Sequence, residues 1–111
     1  MTTCERFDVV EVPFPFSDLP RSKRRKALVL SSHAFNERNG SAVLMMVTSA
    51  ARSSWYLDVQ LRQWRQAGLN KPCVARMKLF TLDSRLILGR CGSLADGDQR
   101  DVLAALREAL P

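Results

Sequence analysis

A mainly β domain with a single C-terminal helix, its strands curled into a small barrel, is the fold class that the 111-residue sequence predicts. Three observations predict it. Short β-branched or apolar runs, bounded by Pro, Gly and polar stretches, recur five or six times along the chain. Gly89 and Gly92 fall within the last of these runs, where a strand of a small barrel must bend. Beyond them, ADGDQRDVLAALREAL places Val102, Leu103, Leu106 and Leu110 on one apolar stripe at helical spacing.

The elements follow in order. FDVVEVPF, with Phe7, Val9, Val10 and Val12, reads as a strand whose prolines, Pro13 and Pro15, confine its far end to an edge. PFSDLPRSKRR is a polar, Pro-containing basic loop, and ALVLSS after it is a buried strand. HAFNERNG is a connection with at most a turn of helix, closed at Asn39-Gly40, and AVLMMVTS is a second buried strand. A basic, Ser-rich loop then leads to a strand near Trp55. LRQWRQAGL has helical character, with Gly68 placed as a C-cap. In CVARMKLFTL, alternation of Val74, Arg76 and Lys78 with their neighbours predicts a partly exposed strand, and RLILGRCGSL gives the last one. Asp96, with Gln99 three residues on, is the expected N-cap of the final helix. No repeat or linker divides residues 1–111, so one domain is expected.

Composition narrows the function. No run of about eighteen apolar residues exists to span a membrane, and the acidic start, MTTCERFDVVEV, is unlike a signal peptide. A cytoplasmic location is the expectation. Cys4, Cys73 and Cys91 are odd in number and form no C-x-x-C pair, which argues against a disulfide framework; Cys73 and Cys91 read as small core residues. With His33 as the one histidine, neither a Cys/His zinc site nor a Ser/His/Asp triad has support, and His33 reads as an exposed connector residue. The absence of a Gly-rich phosphate loop removes dinucleotide and NTP binding. The expected cofactor and metal requirement is none.

Charge carries the positive signal. The net charge of +6 is distributed as −3 over residues 1–20, +11 over 21–90 and −2 over 91–111. A basic middle between acidic ends is the footprint of a polyanion binder. Arg21, Lys23, Arg24, Arg25 and Lys26 crowd into six positions, and Arg24 and Arg25 stand where the polar loop meets a buried strand. A guanidinium fork binds two phosphate oxygens and keeps its charge at every working pH. Thr48 and Ser49 end the strand AVLMMVTS at a similar rim. If those two strands are neighbours, a guanidinium and a hydroxyl converge on one phosphate.

FDVVEVPFPFSD, SKRRKALVLSS, VTSA and KLFTLDSRLILGRCGSL, in that order, resemble the MazF/PemK-type toxins of type II toxin–antitoxin systems, the PemK-like branch in particular. The resemblance runs from Phe7 to Leu94. It implies an SH3-like β-barrel, homodimers, and metal-independent cleavage of single-stranded RNA that a cognate acidic antitoxin blocks. By the same resemblance the catalytic arginine falls on Arg25 and the catalytic threonine on Thr48. Ser17 and Asp18 would line the RNA groove, and Lys78 would contact RNA. Lys23, Arg24, Lys26 and Arg52 would hold flanking phosphates beside Ser49, while Trp55 and Phe16 could stack on bases. The family's usual proline after the arginine is Lys26 in this chain, which implies a looser loop, and Pro20 stands where some members have a glutamate. The alternatives are an inactive nucleic-acid-binding barrel, a gyrase-targeting toxin of similar fold, and a polyproline-binding module of SH3 type.

Overall fold

The computed structural model describes residues 3–14, 23–51 and 54–111, with the backbone alone at Phe14. Six strands, β1 (Asp8–Phe14), β2 (Lys23–Val29), β3 (Ser41–Ser49), β4 (Val59–Gln60), β5 (Cys73–Asp83) and β6 (Gly89–Ser93), form one sheet. Its order is β4-β5-β3-β2-β1-β6, with each of these neighbours antiparallel. Helix α1 (His33–Asn39) joins β2 to β3, and α2 (Asp96–Ala109) closes the chain. The sheet curls into a half-barrel.

Both faces of the central strands are buried, which explains why their sequences read as continuous apolar runs. Val9, Leu28, Met45 and Val47 pack on one side with Leu61, Ala67, Leu94 and Val102. Val10, Val12, Ala27, Val29, Ala42 and Leu44 form a second cluster on the other side, with Leu82. Full burial of each such aliphatic side chain contributes about 1.5–3 kcal/mol. Among the described residues no helix is long and apolar enough to cross a membrane.

Several expectations are corrected. The second strand begins at Lys23, four residues before ALVLSS, because β1 pairs with it from Val9↔Leu28 through to Phe14↔Lys23. HAFNERN is a true helix: Ser32 caps it by accepting from the Phe35 N–H at 3.2 Å, and Gly40 ends it at φ 61°. No strand forms at Trp55; β4 is only two residues long, because Leu57 at φ 71° turns the chain before it. LRQWRQAGL is a run of turns. Its N–H groups reach back five residues at Leu69, four at Ala67 and three at Gly68, so no helical ladder propagates. Arg76 is buried at 7% exposure, not at a partly exposed position. Residues 84–86 make a single 3₁₀ turn, so the last strand starts at Gly89. Asp96 is the first residue of α2 and not its cap, which is Ala95 without a side-chain bond. Leu110, the end of the apolar stripe, is 64% exposed.

Two glycines bring the open ends of the sheet together. A Cβ on Gly68 would stand 2.1 Å from the Cys91 carbonyl oxygen, and one on Gly92 would stand 2.7 Å from the Ala67 carbonyl carbon. The turns after β4 therefore lie backbone to backbone against β6. Asp98 of α2 anchors the same turns, accepting from the Arg62 and Gln63 N–H groups at 3.1 and 3.0 Å. Gly92→Ala should cost about 1–3 kcal/mol in urea unfolding. Gly89→Ala, where nothing lies within 4 Å of the new methyl, should change stability by no more than about 0.5 kcal/mol.

Candidate functional site

Alternation along a paired strand sorts the basic run into two sets. In β2, Arg24 and Lys26 share a face with Leu28, whereas Arg25 shares the opposite face with Ala27 and Val29. Lys26 is paired on both sides, with Glu11 of β1 and Val47 of β3. Glu11 accepts from Lys26 Nζ at 2.8 Å and from Arg24 Nη1 at 3.2 Å. The Lys26 hydrogen bond, together with the two positive charges, holds the Glu11 carboxyl below its usual value, and Glu11 in turn raises the Lys26 ammonium. The expectation of a loosened loop at Lys26 is thereby corrected, since this lysine is a half-buried strand residue tied to its neighbour.

Arg25 is left on the other face. The β2–β3 register runs Lys26↔Val47 and Ala27↔Met46, so one further step sets Arg25 opposite Thr48. Among the described residues no carboxylate pairs with Arg25. The two strands are neighbours, as the sequence argument required.

Around this pair opens a cleft of about 350 Å³. Arg24, Arg25, Lys26, Lys71, Arg76 and Lys78 line it together with Thr48 and Ser49, and no carboxylate of the described residues does. The sequence-derived candidates Arg24, Arg25, Lys26, Thr48, Ser49 and Lys78 thus come together. Lys23 is exposed at the start of β2 and is not part of the lining. Phe16, Ser17, Asp18 and Arg52 lie outside the described residues. Cys73 is buried in the cleft wall, where burial pushes its thiol up, and Cys91 packs half-buried on the core. His33 is exposed, between Glu5 at 3.0 Å and Glu37 at 3.1 Å. The described residues hold no group of three metal-ligating side chains.

The sequence reading missed Arg76 and Lys71 as cleft residues. Arg76 sits opposite Met46, two positions before Thr48 on β3. Between Leu79, which pairs with Met45, and Arg76 the ladder slips, leaving Met77 and Lys78 as a bulge in β5. Such a bulge re-aims side chains, and Lys78 turns to the cleft lining. Arg76 also makes a two-pronged pair with Asp58, Nε to Oδ1 at 3.1 Å and Nη2 to Oδ2 at 2.9 Å, with both side chains near one-tenth exposed. An apolar-flanked arginine in VARMK was the available signal, because a buried guanidinium demands a carboxylate partner.

Burial pushes the Asp58 carboxyl up, but the Arg76 hydrogen bonds and the Trp55 N–H outweigh it and hold it below the usual aspartate value. A depressed native pKa stabilises the fold fully above the ordinary aspartate value of about 3.9 and is lost as pH falls below it. Asp58→Asn should therefore destabilise the protein by about 3 kcal/mol near neutral pH, by urea unfolding. The gap to the unsubstituted protein should narrow as the titration is carried below about pH 4.

Comparison with known proteins bears on the fold and the family. No curated protein matches the sequence at a significant level. MazF of Deinococcus radiodurans is 25% identical and superposes with a TM-score of 0.77, covering 99% of this chain and 98% of its own. A MazE–MazF complex from the same organism gives 23% identity and a TM-score of 0.78 over 98% and 97%. A mycobacterial endoribonuclease in complex with its cognate antitoxin gives 16% and 0.75 over 99% and 95%. The sequence profile of the PemK-like, MazF-like toxins of type II toxin–antitoxin systems matches residues 5–110, and the chain belongs to that family.

Proposed function

We propose that this protein is a metal-independent endoribonuclease toxin that cuts single-stranded RNA in the cytoplasm. The observation that carries the reading is a cleft lined by six cations in which Arg25, without a carboxylate partner among the described residues, and the strand-end Thr48 come from neighbouring strands whose register, continued one step, brings them across from each other. The 2′-hydroxyl of the RNA gives up its proton to solvent as its oxygen bonds to the adjacent phosphorus. The P–O5′ bond breaks, and the leaving O5′ takes up a proton, so that the proton count balances. The products are a 2′,3′-cyclic phosphate and a 5′-hydroxyl end. Arg25 stabilises the charge that builds on the non-bridging oxygens; with a pKa above about 12 it is no proton acceptor. Thr48 donates a hydrogen bond to the same phosphate and fixes its orientation.

Arg24, Lys26 and Lys78 hold flanking phosphates at the cleft, with Lys23 beyond it and Ser49 at the rim. Ser17, Asp18 and Arg52 join the groove by family resemblance. A cleft lined by six cations and by no carboxylate of the described residues suits an acidic antitoxin chain as well as it suits RNA. The structural relatives that are complexes with a cognate antitoxin or with MazE support that partnership. A homodimer fits the exposed Leu86 and Leu88, at 46% and 48%, beside β6.

Arg25→Ala should lower the cleavage rate by about 100–1000-fold, as loss of one transition-state donor does. Cleavage persisting at full rate while binding weakens would reassign Arg25 to positioning. RNA carrying hydrogen in place of the 2′-hydroxyl at the cut site should survive intact, and its cleavage would exclude the cyclic-phosphate route. Mapping of the cut ends on a long RNA in the presence of a chelator reads both outcomes.

A further inference from the structure

At one side of the cleft, residues 55–58 form a turn built more tightly than a surface loop requires. Asp58 accepts from the Trp55 N–H at 2.9 Å and returns its own N–H to the Trp55 carbonyl at 3.1 Å. Between them Leu57 adopts φ 71°, a conformation that costs a side-chain-bearing residue about 1 kcal/mol or more and needs outside support. The support is the Asp58–Arg76 pair, which ties the turn to the middle of β5.

What the turn presents is an indole. Trp55 is 44% exposed, although tryptophan is among the side chains that folding usually covers. Lys78 Nζ stands 4.9 Å from the ring centroid and the Arg76 guanidinium 5.4 Å. Both cations line the cleft, so the ring, not itself a lining residue, stands against the cations of its wall. Arg76 lies opposite Met46, on the strand face that Thr48 shares, so the ring beside Arg76 is close along the sheet to Thr48.

We infer that Trp55 is a stacking platform for a base flanking the cut, and that Asp58 is the positioning residue that holds its ring at the cleft. This rests on the RNA reading of the cleft. A base laid on the indole carries its phosphate towards Lys78, so one nucleotide is gripped through both its π-face and its charge. The ring's fixed attitude matters because a mobile tryptophan would lose rotamer freedom on binding, whereas a clamped one has already lost it on folding. The platform is sequence-tolerant by nature, since every base has a face to offer.

The test uses a short 2′-O-methyl RNA pool of mixed sequence, which cannot be cut by the 2′-hydroxyl route, and cleavage of a long transcript by the same proteins. W55A should weaken binding of the pool by about 5–100-fold, the range measured for loss of one stacked base, and raise KM while kcat at saturating RNA is largely kept. W55F should restore most of the affinity. The indole N–H resonance that disappears in W55F should shift when the pool is added to the unsubstituted protein. D58N should raise KM in the natural sequence and by much less in the W55A background. Equal binding and cleavage by W55A overturns the platform, and full additivity of D58N with W55A overturns the positioning role. Failure of the unsubstituted protein to bind or cut RNA overturns the nuclease reading and this inference with it.

Discussion

The antiparallel pairing of β2 between β1 and β3 is the constraint on which the site depends. A run of four cations, Lys23 to Lys26, is a poor strand by composition, and left alone it would be a solvated loop. Continuous pairing with β1 holds it extended, and extension forces alternate side chains to opposite faces. Glu11 then pairs with Arg24 and Lys26 on one face, while Arg25 faces the other with no carboxylate partner among the described residues. One shared carboxylate offsets part of the charge on the first face and none of that on Arg25. Removing the pairing would restore four equivalent lysines and arginines. The chemistry requires that they be unequal.

Lys26 shows why the sequence alone misjudges this region. A lysine after the key arginine implies a looser chain when the run is read as a loop, because a mobile cation adds solvation and no constraint. Once the run is a strand, the same lysine has a backbone partner on each side and a carboxylate at 2.8 Å. Tertiary pairing thus stiffens this position, where a proline would act by a fixed φ. The strands VVEV, ALV and AVLMMV were legible because their burial on both faces leaves continuous apolar runs. The start of β2 was not, since period-two alternation cannot be seen in a stretch that is charged at every position. The family motif singled out Thr48 and Arg25, which line one cleft; it did not single out Arg76, whose carboxylate lies eighteen residues upstream and beyond a turn.

The segment 61–69 failed for a related reason. Its Leu, Trp and Ala spacing mimics a helix face, and Leu61, Ala67 and Leu69 are indeed buried. Burial here is imposed by the neighbours: β6 presses against Ala67 and Gly68, and Asp98 captures the N–H groups of Arg62 and Gln63. The last residues of the segment abut a strand backbone, where a continuing α-helix has no room. Gly68 is thus not the helix C-cap that the sequence suggested, and it and Gly92 are needed for a reason that the sequence does not show, the absence of room for a methyl group between two backbone segments.

These two halves of the molecule meet at β5. Its Cys73–Arg76 portion is paired to β3 and β4, and the bulge at Met77 and Lys78 breaks that register just past the cleft. A regular strand would alternate Arg76 and Lys78 on one face at a fixed spacing of roughly 6.6 Å. The bulge breaks that spacing, and both cations instead stand within 5.4 Å of one indole while lining one cleft. The like charges so gathered repel one another, and folding accepts the repulsion because Asp58 offsets one of them inside the protein. Lys78, Lys71 and Arg25 have no such acid among the described residues. Their mutual repulsion falls when an anion enters, so part of the free energy of binding a polyanion is stored in the empty cleft.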